Sequence, residues 1–286
     1  MSRYNIKFSR NFLRYGWKVK KFEESTIWFK GSYCEDKFDK ILNTLSLIFS
    51  TYGDNYTPKL NSFLGKLTGD FAFICETKYV VIAVVDNISS TPIFYSQKNN
   101  ELVLSDLARN ITSDISLDEE AVLPLIMSGY TIGDKTLNSN VKKLTPFEYI
   151  VYFQNSIFKG RYSNFIPVIN ANLDRKKLIN NFYDCLMGVM EDIYNNIKDR
   201  HIVVLLSGGS DSRLLVSSLK HIGAKNITCM TYGIPSSEEV RVSKGIARTL
   251  GYEHVFIPIV KSKIKDYFLS EDFDNYLYSL DSYSSV

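Results

Sequence analysis

The sequence predicts two layered domains in tandem: an α+β domain with antiparallel sheets, then an α/β domain on a parallel sheet. Three observations carry this. Residues 1–162 hold many short strand-like runs interrupted by two helical patterns. Residues 202–206, a continuous apolar run, break into a Ser/Gly/Asp turn and resume with helical spacing. Beyond that turn strand-like and helix-like segments alternate, which places parallel strands in one sheet through right-handed crossovers. Between the two regions, residues 163–172 carry Pro167 and three asparagines. The linker is therefore placed at 163–173, with the first domain at 1–162 and the second at 174–286.

In the first domain, residues 4–8, 17–22 and 26–29 are short, aromatic-rich and partly alternating, as strands are. Residues 36–50 put Phe38, Ile41, Leu42, Leu45, Ile48 and Phe49 on one helical face, with Gly53 as terminator. Residues 70–75 and 79–85 read as strands joined by a tight turn at Thr77 and Lys78. A turn over 86–92 leads to strands at 93–96 and 102–105. Ser116 with Glu119 has capping-box spacing for a helix to about Ser128, which Gly129 ends. Residues 149–153 and 157–161 close the domain as a hairpin.

In the second domain, Asp174 caps a helix whose Leu178, Phe182, Cys185, Leu186, Val189, Ile193 and Ile197 form one apolar stripe. The run 202–206 suits a strand buried on both faces. Leu214, Leu215, Val216 and Leu219 suit the buried face of the helix that follows. Gly223 turns the chain into a strand at 226–231. Ser236 with Glu239 repeats the capping-box spacing for a helix to Leu250 that Gly251 closes, and 254–259 is a third strand.

Composition narrows the class. Hydrophobic and charged fractions of 45% and 23% are those of a soluble globular chain, and 286 residues suffice for two cores. A net charge of +3 gives no argument for a nucleic-acid or membrane partner. No segment reaches membrane-spanning length and the N-terminus has no apolar signal region. Cys34, Cys75, Cys185 and Cys229 show no CxxC spacing and sit mostly in apolar segments, as buried free thiols of a reducing compartment do. The expected location is cytoplasmic. His201, His221 and His254 are scattered without zinc-ligand spacing.

The chemistry concentrates in Ser207, Gly208, Gly209, Ser210, Asp211 and Ser212. Strand, glycine turn and helix N-terminus form a phosphate cradle, because unpaired first-turn N–H groups and the helix dipole both favour an anion there. The glycines let the backbone approach phosphate oxygens, and serine hydroxyls add donors. Asp211 would repel bare phosphate, so its expected use is on the magnesium that accompanies a nucleotide. The Walker spacing and its lysine are absent. Arg213 has two readings, a phosphate or substrate contact and an exposed helix arginine.

This arrangement, SGGSDS between a strand and a helix, closely resembles the PP-loop of ATP pyrophosphatases, which cleave ATP to AMP and pyrophosphate. The resemblance implies a Rossmann-like domain that binds ATP and Mg2+. It also implies that the segment TYGIPSSEE flanks adenine and ribose, with Leu206 and Tyr232 on the base and Gly233 beside them. Upstream, GDFAFI, DNISSTPIFYS, LVLSD, GYTIGDKTL and KLTPFEYIVY occur in that order. The series resembles the class II glutamine amidotransferase domain of asparagine synthetases, which implies an Ntn-hydrolase-like fold. Two departures matter. The family's N-terminal nucleophilic cysteine is Ser2 here, and a serine hydroxyl is a poor nucleophile without an activating base. Its asparagine-glycine-glutamate motif is not recognisable. A glutaminase fold without glutaminase chemistry is expected, as in β-lactam synthetases and lasso-peptide cyclases, and no catalytic residue is assigned.

The resemblance implies an AMP-forming amide ligase. It adenylates a carboxylate and passes the acyl group to a nitrogen nucleophile, in bacterial surface-polysaccharide or peptide modification. Neither the carboxylate nor the nitrogen donor can be read from the residues. The family's second motif, Ser-Gly-x-Gly-x-Asp-Glu, is absent before Val286, so the chain is expected to be truncated, split or degenerate, its partner a homodimeric copy or a missing C-terminal half. Two rival readings remain: a PP-loop enzyme adenylating a nucleobase oxygen, and a nucleotide-binding or assembly module without catalysis.

Overall fold

The computed structural model describes residues 4–9, 12–13, 16–31, 38–98, 100–167 and 174–279, and the chain divides into two compact units, one mostly Met1–Ile166 and the other Pro167–Leu277. The first unit carries β1 (Tyr4–Lys7), β2 (Lys18–Phe22), β3 (Ser25–Gly31), α1 (Phe38–Tyr52), α2 (Thr57–Leu64), β4 (Phe71–Glu76), β5 (Val80–Val85), β6 (Phe94–Lys98), β7 (Glu101–Ser105), α3 (Glu119–Ser128), β8 (Lys142–Lys143), β9 (Glu148–Phe153) and β10 (Ser156–Arg161). Two sheets form, β1-β7-β6-β8 and the largely antiparallel β10-β9-β5-β4-β3-β2.

Alternation along the central strands builds two cores at once. Phe71, Phe73 and Cys75 of β4, with Val80, Ile82 and Val84 of β5, meet α1 and α2. The intervening Ala72, Ile74, Val81, Ala83 and Val85 meet the other sheet through Ile93, Tyr95, Leu102 and Leu104. Strands covered on both faces read as continuous apolar runs, as these do. Asp86 ties the joint between them. Its buried carboxylate accepts from the backbone N–H of Phe71 (2.9 Å), Ile88 (2.9 Å) and Ser90 (3.1 Å), and from the Ser90 hydroxyl.

Helix starts differ slightly from the expected ones. α3 begins on Asp118, whose carboxylate accepts from Glu120 N, while the Ser116 hydroxyl lies 2.8 Å from that of Ser139. The carboxylate nearer the first turn takes the cap. Thr57–Leu64 was not foreseen, since only Leu60 and Leu64 of that short helix are buried. Cys34 and Ser2 lie outside the described residues, as do residues 168–173 of the expected linker.

The second unit carries α4 (Arg175–Ile197), β11 (Ile202–Leu205), α5 (Ser210–His221), β12 (Ile227–Gly233), α6 (Glu238–Leu250), β13 (Glu253–Pro258), α7 (Lys261–Phe268) and α8 (Glu271–Ser279). The three strands form a parallel sheet in the order β11-β12-β13. Val204, Leu206, Cys229, Val216, Leu219, Ala247 and Met190 form its core on the helix side. On the opposite face Val203 is 50% exposed, Leu205 58% and Tyr232 59%, while Thr228 is buried.

Burial in this unit departs from the sequence expectation on one strand, two helices and one cysteine. β11 is buried on one face, because all described crossovers place α5 and α6 on the same side. Leu214 and Leu215 of α5 are exposed, and only Val216, Ser218 and Leu219 of that helix are buried. On α4 the packed residues are Met190, Leu186 and Tyr194, while Leu178, Phe182, Val189 and Ile193 stay exposed. Cys185 is exposed as well, whereas Cys75 and Cys229 are buried and burial pushes both thiols up. α6 starts from Ser237, whose hydroxyl accepts from Val240 N, one residue later than its expected cap. Among the described residues no helix is long and apolar enough to cross a membrane.

Candidate functional site

The glycine turn joins β11 to α5 at the carboxyl end of the parallel sheet, where open α/β sheets take ligands. Its internal hydrogen bonds give it one shape. The Ser212 hydroxyl accepts from Ser207 N (3.1 Å) and lies 2.9 Å from the Ser207 hydroxyl, which in turn accepts from Gly209 N (3.2 Å). Arg213 Nε donates to the Gly209 carbonyl at 3.1 Å, so this side chain braces the turn from the first coil of the helix. The hydroxyls of Ser207 and Ser212, both expected on phosphate, lie within hydrogen-bond distance of each other.

The donors left over are those of the helix start. α3, α4 and α6 begin on Asp118, Asp174 and Ser237, whose side chains accept a first-turn N–H. α5 begins on Gly209, which offers no side-chain cap. The N–H groups of Ser210, Asp211 and Ser212 have no acceptor within an α-helix, and they lie at its positive end.

Neither glycine is demanded by backbone conformation. Gly209 has φ −76° and ψ 166°, which any residue adopts. A Cβ on Gly208 would make ordinary contact with Glu239 Cα at 3.6 Å; one on Gly209 would crowd the Ser207 hydroxyl at 3.2 Å. The space above the turn is thus open because side chains are missing there, which is what close approach of a phosphate requires.

The structure separates the two residues expected on a base. Leu206 is buried among the helices, so it offers a ligand only its backbone. Tyr232 is exposed on the other face of the sheet, and Gly233 ends β12 beside Val240 and Ser237 of the α6 start. Asp211 is exposed at the first turn of α5. Glu239, which sequence reasoning used only as a cap partner, brings its Cγ to 3.8 Å from the Gly208 Cβ position. Among the described residues no group of three or more His, Cys, Asp or Glu could hold a metal ion by itself. Cavities of about 600 and 610 Å³ open in the first unit, and neither borders this turn.

Fold and turn together make a parallel α/β unit in which a glycine turn leads into a helix start without a side-chain cap. Residues 196–281 match the family model for asparagine synthase. No curated protein matches the sequence. Among solved structures, glutamine phosphoribosylpyrophosphate amidotransferase from B. subtilis, complexed with ADP and GMP, is 13% identical over 87% of this chain and 52% of its own, with a TM-score of 0.28. A structure described as the allosteric regulatory enzyme of purine biosynthesis is 12% identical over 84% and 46%, also at 0.28. The chain spans about half the length of these two proteins, and at such TM-scores the likeness carries no argument.

Proposed function

We propose that this chain handles ATP in an asparagine-synthetase-like, AMP-forming amide ligase, with residues 207–212 as its phosphate cradle. The observation that carries the reading is the uncapped start of α5 beneath a turn cleared of side chains. The family match over residues 196–281 supports it. The same proposal takes 1–162 as an amidotransferase-like domain, 163–173 as linker and 174–286 as the ATP-binding domain.

In this reading a substrate carboxylate attacks the α-phosphorus of ATP and the bond to the bridging oxygen breaks, so pyrophosphate leaves. A nitrogen nucleophile then attacks the acyl carbon, AMP departs with the bonding electrons, and the nitrogen's proton goes to solvent. The N–H groups of Ser210, Asp211 and Ser212 would hold the charge growing on pyrophosphate, fixed in place before the reaction. Arg213 and the Ser207–Ser212 pair would keep those donors aimed. The exposed Tyr232 ring gives adenine an apolar surface.

Magnesium, when bound, would neutralise phosphate charge. It is usually held by one or two carboxylates together with phosphate oxygens, and the exposed Asp211 would supply one such carboxylate. Incubation with ATP, magnesium and a panel of carboxylates is expected to yield AMP and pyrophosphate in equal amounts, dependent on the carboxylate. Formation of ADP and phosphate would contradict the reaction, and ATP binding without turnover would favour a nucleotide-binding module.

The first unit is proposed to lack glutaminase chemistry, a reading that rests on sequence because Ser2 is outside the described residues. Incubation with glutamine is expected to release no glutamate above background. Turnover that Ser2→Ala abolishes would overturn it.

A further inference from the structure

The turn is held from behind as well as from within. Leu206, the residue preceding it, has its carbonyl oxygen 2.6 Å from Thr231 Oγ1 on the neighbouring strand β12. Thr231 Oγ1 also lies 2.9 Å from Ser243 Oγ on α6 and 3.1 Å from His254 Nε2 on β13. Ser243 Oγ approaches the Val240 carbonyl at 3.1 Å. Thr231 is 4% exposed and Ser243 is fully buried, while His254 is half-buried, so a Thr231 or Ser243 hydroxyl left without a partner would be costly.

Proton counting gives it a direction. A carbonyl only accepts and a threonine hydroxyl has one proton, so the 2.6 Å contact uses the Thr231 proton. The same count gives the Ser243 proton to the Val240 carbonyl, so the Thr231 oxygen accepts from His254 Nε2. Burial, and next Lys244, lower the His254 pKa, so its neutral ring can donate from Nε2 at ordinary pH. Three elements therefore converge on one hydroxyl, and that hydroxyl grips the peptide from which the glycine turn departs.

We propose that Thr231 is a positioning residue for the glycine turn, its hydroxyl fixing the Leu206 peptide and thereby the direction of the α5 N–H groups. This rests on the ATP reading above. Thr231 lies on the helix side of the sheet and acts through Leu206.

The test compares Thr231→Val, which removes the hydroxyl at nearly constant shape, with Thr231→Ser, which keeps it. Two readouts are taken on the full chain: amide hydrogen exchange at residues 207–212 without nucleotide, and ATP affinity by calorimetry. Thr231→Val is expected to speed exchange at the turn selectively and to weaken ATP roughly tenfold, the scale of one buried hydrogen bond. Thr231→Ser is expected to restore both. Should Thr231→Val not fold, Thr231→Ala, which also removes the hydroxyl, carries the same comparison with the same expected loss. Wild-type exchange at the turn in both hydroxyl-deleting variants would overturn the proposal. So would exchange raised uniformly across the second unit with no rescue by serine. If the wild-type chain bound no ATP, the ATP reading would fail while the exchange comparison still decided the role of Thr231.

Discussion

Gly208→Val is expected to lower ATP affinity by more than tenfold, about 1.4 kcal/mol or more, while leaving thermal stability close to that of the wild type. The two halves of this result have separate causes. A Cβ at position 208 meets only ordinary contacts, the nearest being Glu239 Cα at 3.6 Å, and the backbone there lies outside the left-handed region. The fold therefore accepts the side chain. The two valine methyls, however, would occupy the space through which phosphate oxygens reach the N–H groups of Ser210, Asp211 and Ser212. Gly209→Val is the poorer probe, because its Cβ would crowd Ser207 Oγ at 3.2 Å and disturb the turn itself. Titration calorimetry with a melting curve on each protein checks both halves. Unchanged affinity would place the nucleotide elsewhere.

The largest stability effect is expected at Asp86. Its buried carboxylate is the acceptor for three backbone N–H groups, on Phe71, Ile88 and Ser90. Alanine leaves all three donors without that acceptor; the buried Phe71 N–H costs roughly 1–3 kcal/mol, and the part-buried Ile88 and Ser90 N–H groups cost less because water reaches them. Neighbouring losses are not additive, so the net destabilisation is expected at about 3–5 kcal/mol, a fall of roughly 10 °C in the melting temperature of the first unit. Asp86→Asn keeps one acceptor oxygen and should fall between alanine and wild type. ATP affinity should stay unchanged in both variants, since the turn belongs to the other unit. A melting temperature unaltered by Asp86→Ala would show that the loop over 86–92 is held by other contacts.

Strands β4, β5 and β9 were legible because, filled on both faces, they are continuous apolar runs bounded by turns. Periodicity says which residues share a face but not what lies opposite. That is why Leu178, Phe182, Leu214 and Leu215 carried the right spacing and yet stand exposed. Caps slipped by one or two residues where several acceptors crowd the same turn, as with Ser116 and Asp118 or Ser236 and Ser237. The short helix α2 gave too few apolar positions to show a period.

At the turn, the strand-glycine turn-helix join and the place of Asp211 on its first helical turn were legible from letters alone, since such a join fixes the backbone locally. Arg213 as a brace, Glu239 beside Gly208 and Thr231 behind Leu206 were not. Each depends on a neighbour 4 to 31 residues away in sequence, and a threonine in a strand looks like any β-branched residue until its hydroxyl is placed.

The central claim is that residues 207–212 hold ATP with its magnesium. It is tested most directly by titrating ATP into the wild-type chain and into Asp211→Asn, each with magnesium and with EDTA. The account predicts that the wild type binds ATP more tightly with magnesium than without. Asp211→Asn should lose roughly tenfold in magnesium and lose nothing in EDTA, where removing the carboxylate also relieves its repulsion of free phosphate. A wild-type chain that binds no ATP, or an Asp211→Asn chain that matches it in magnesium, would contradict the account.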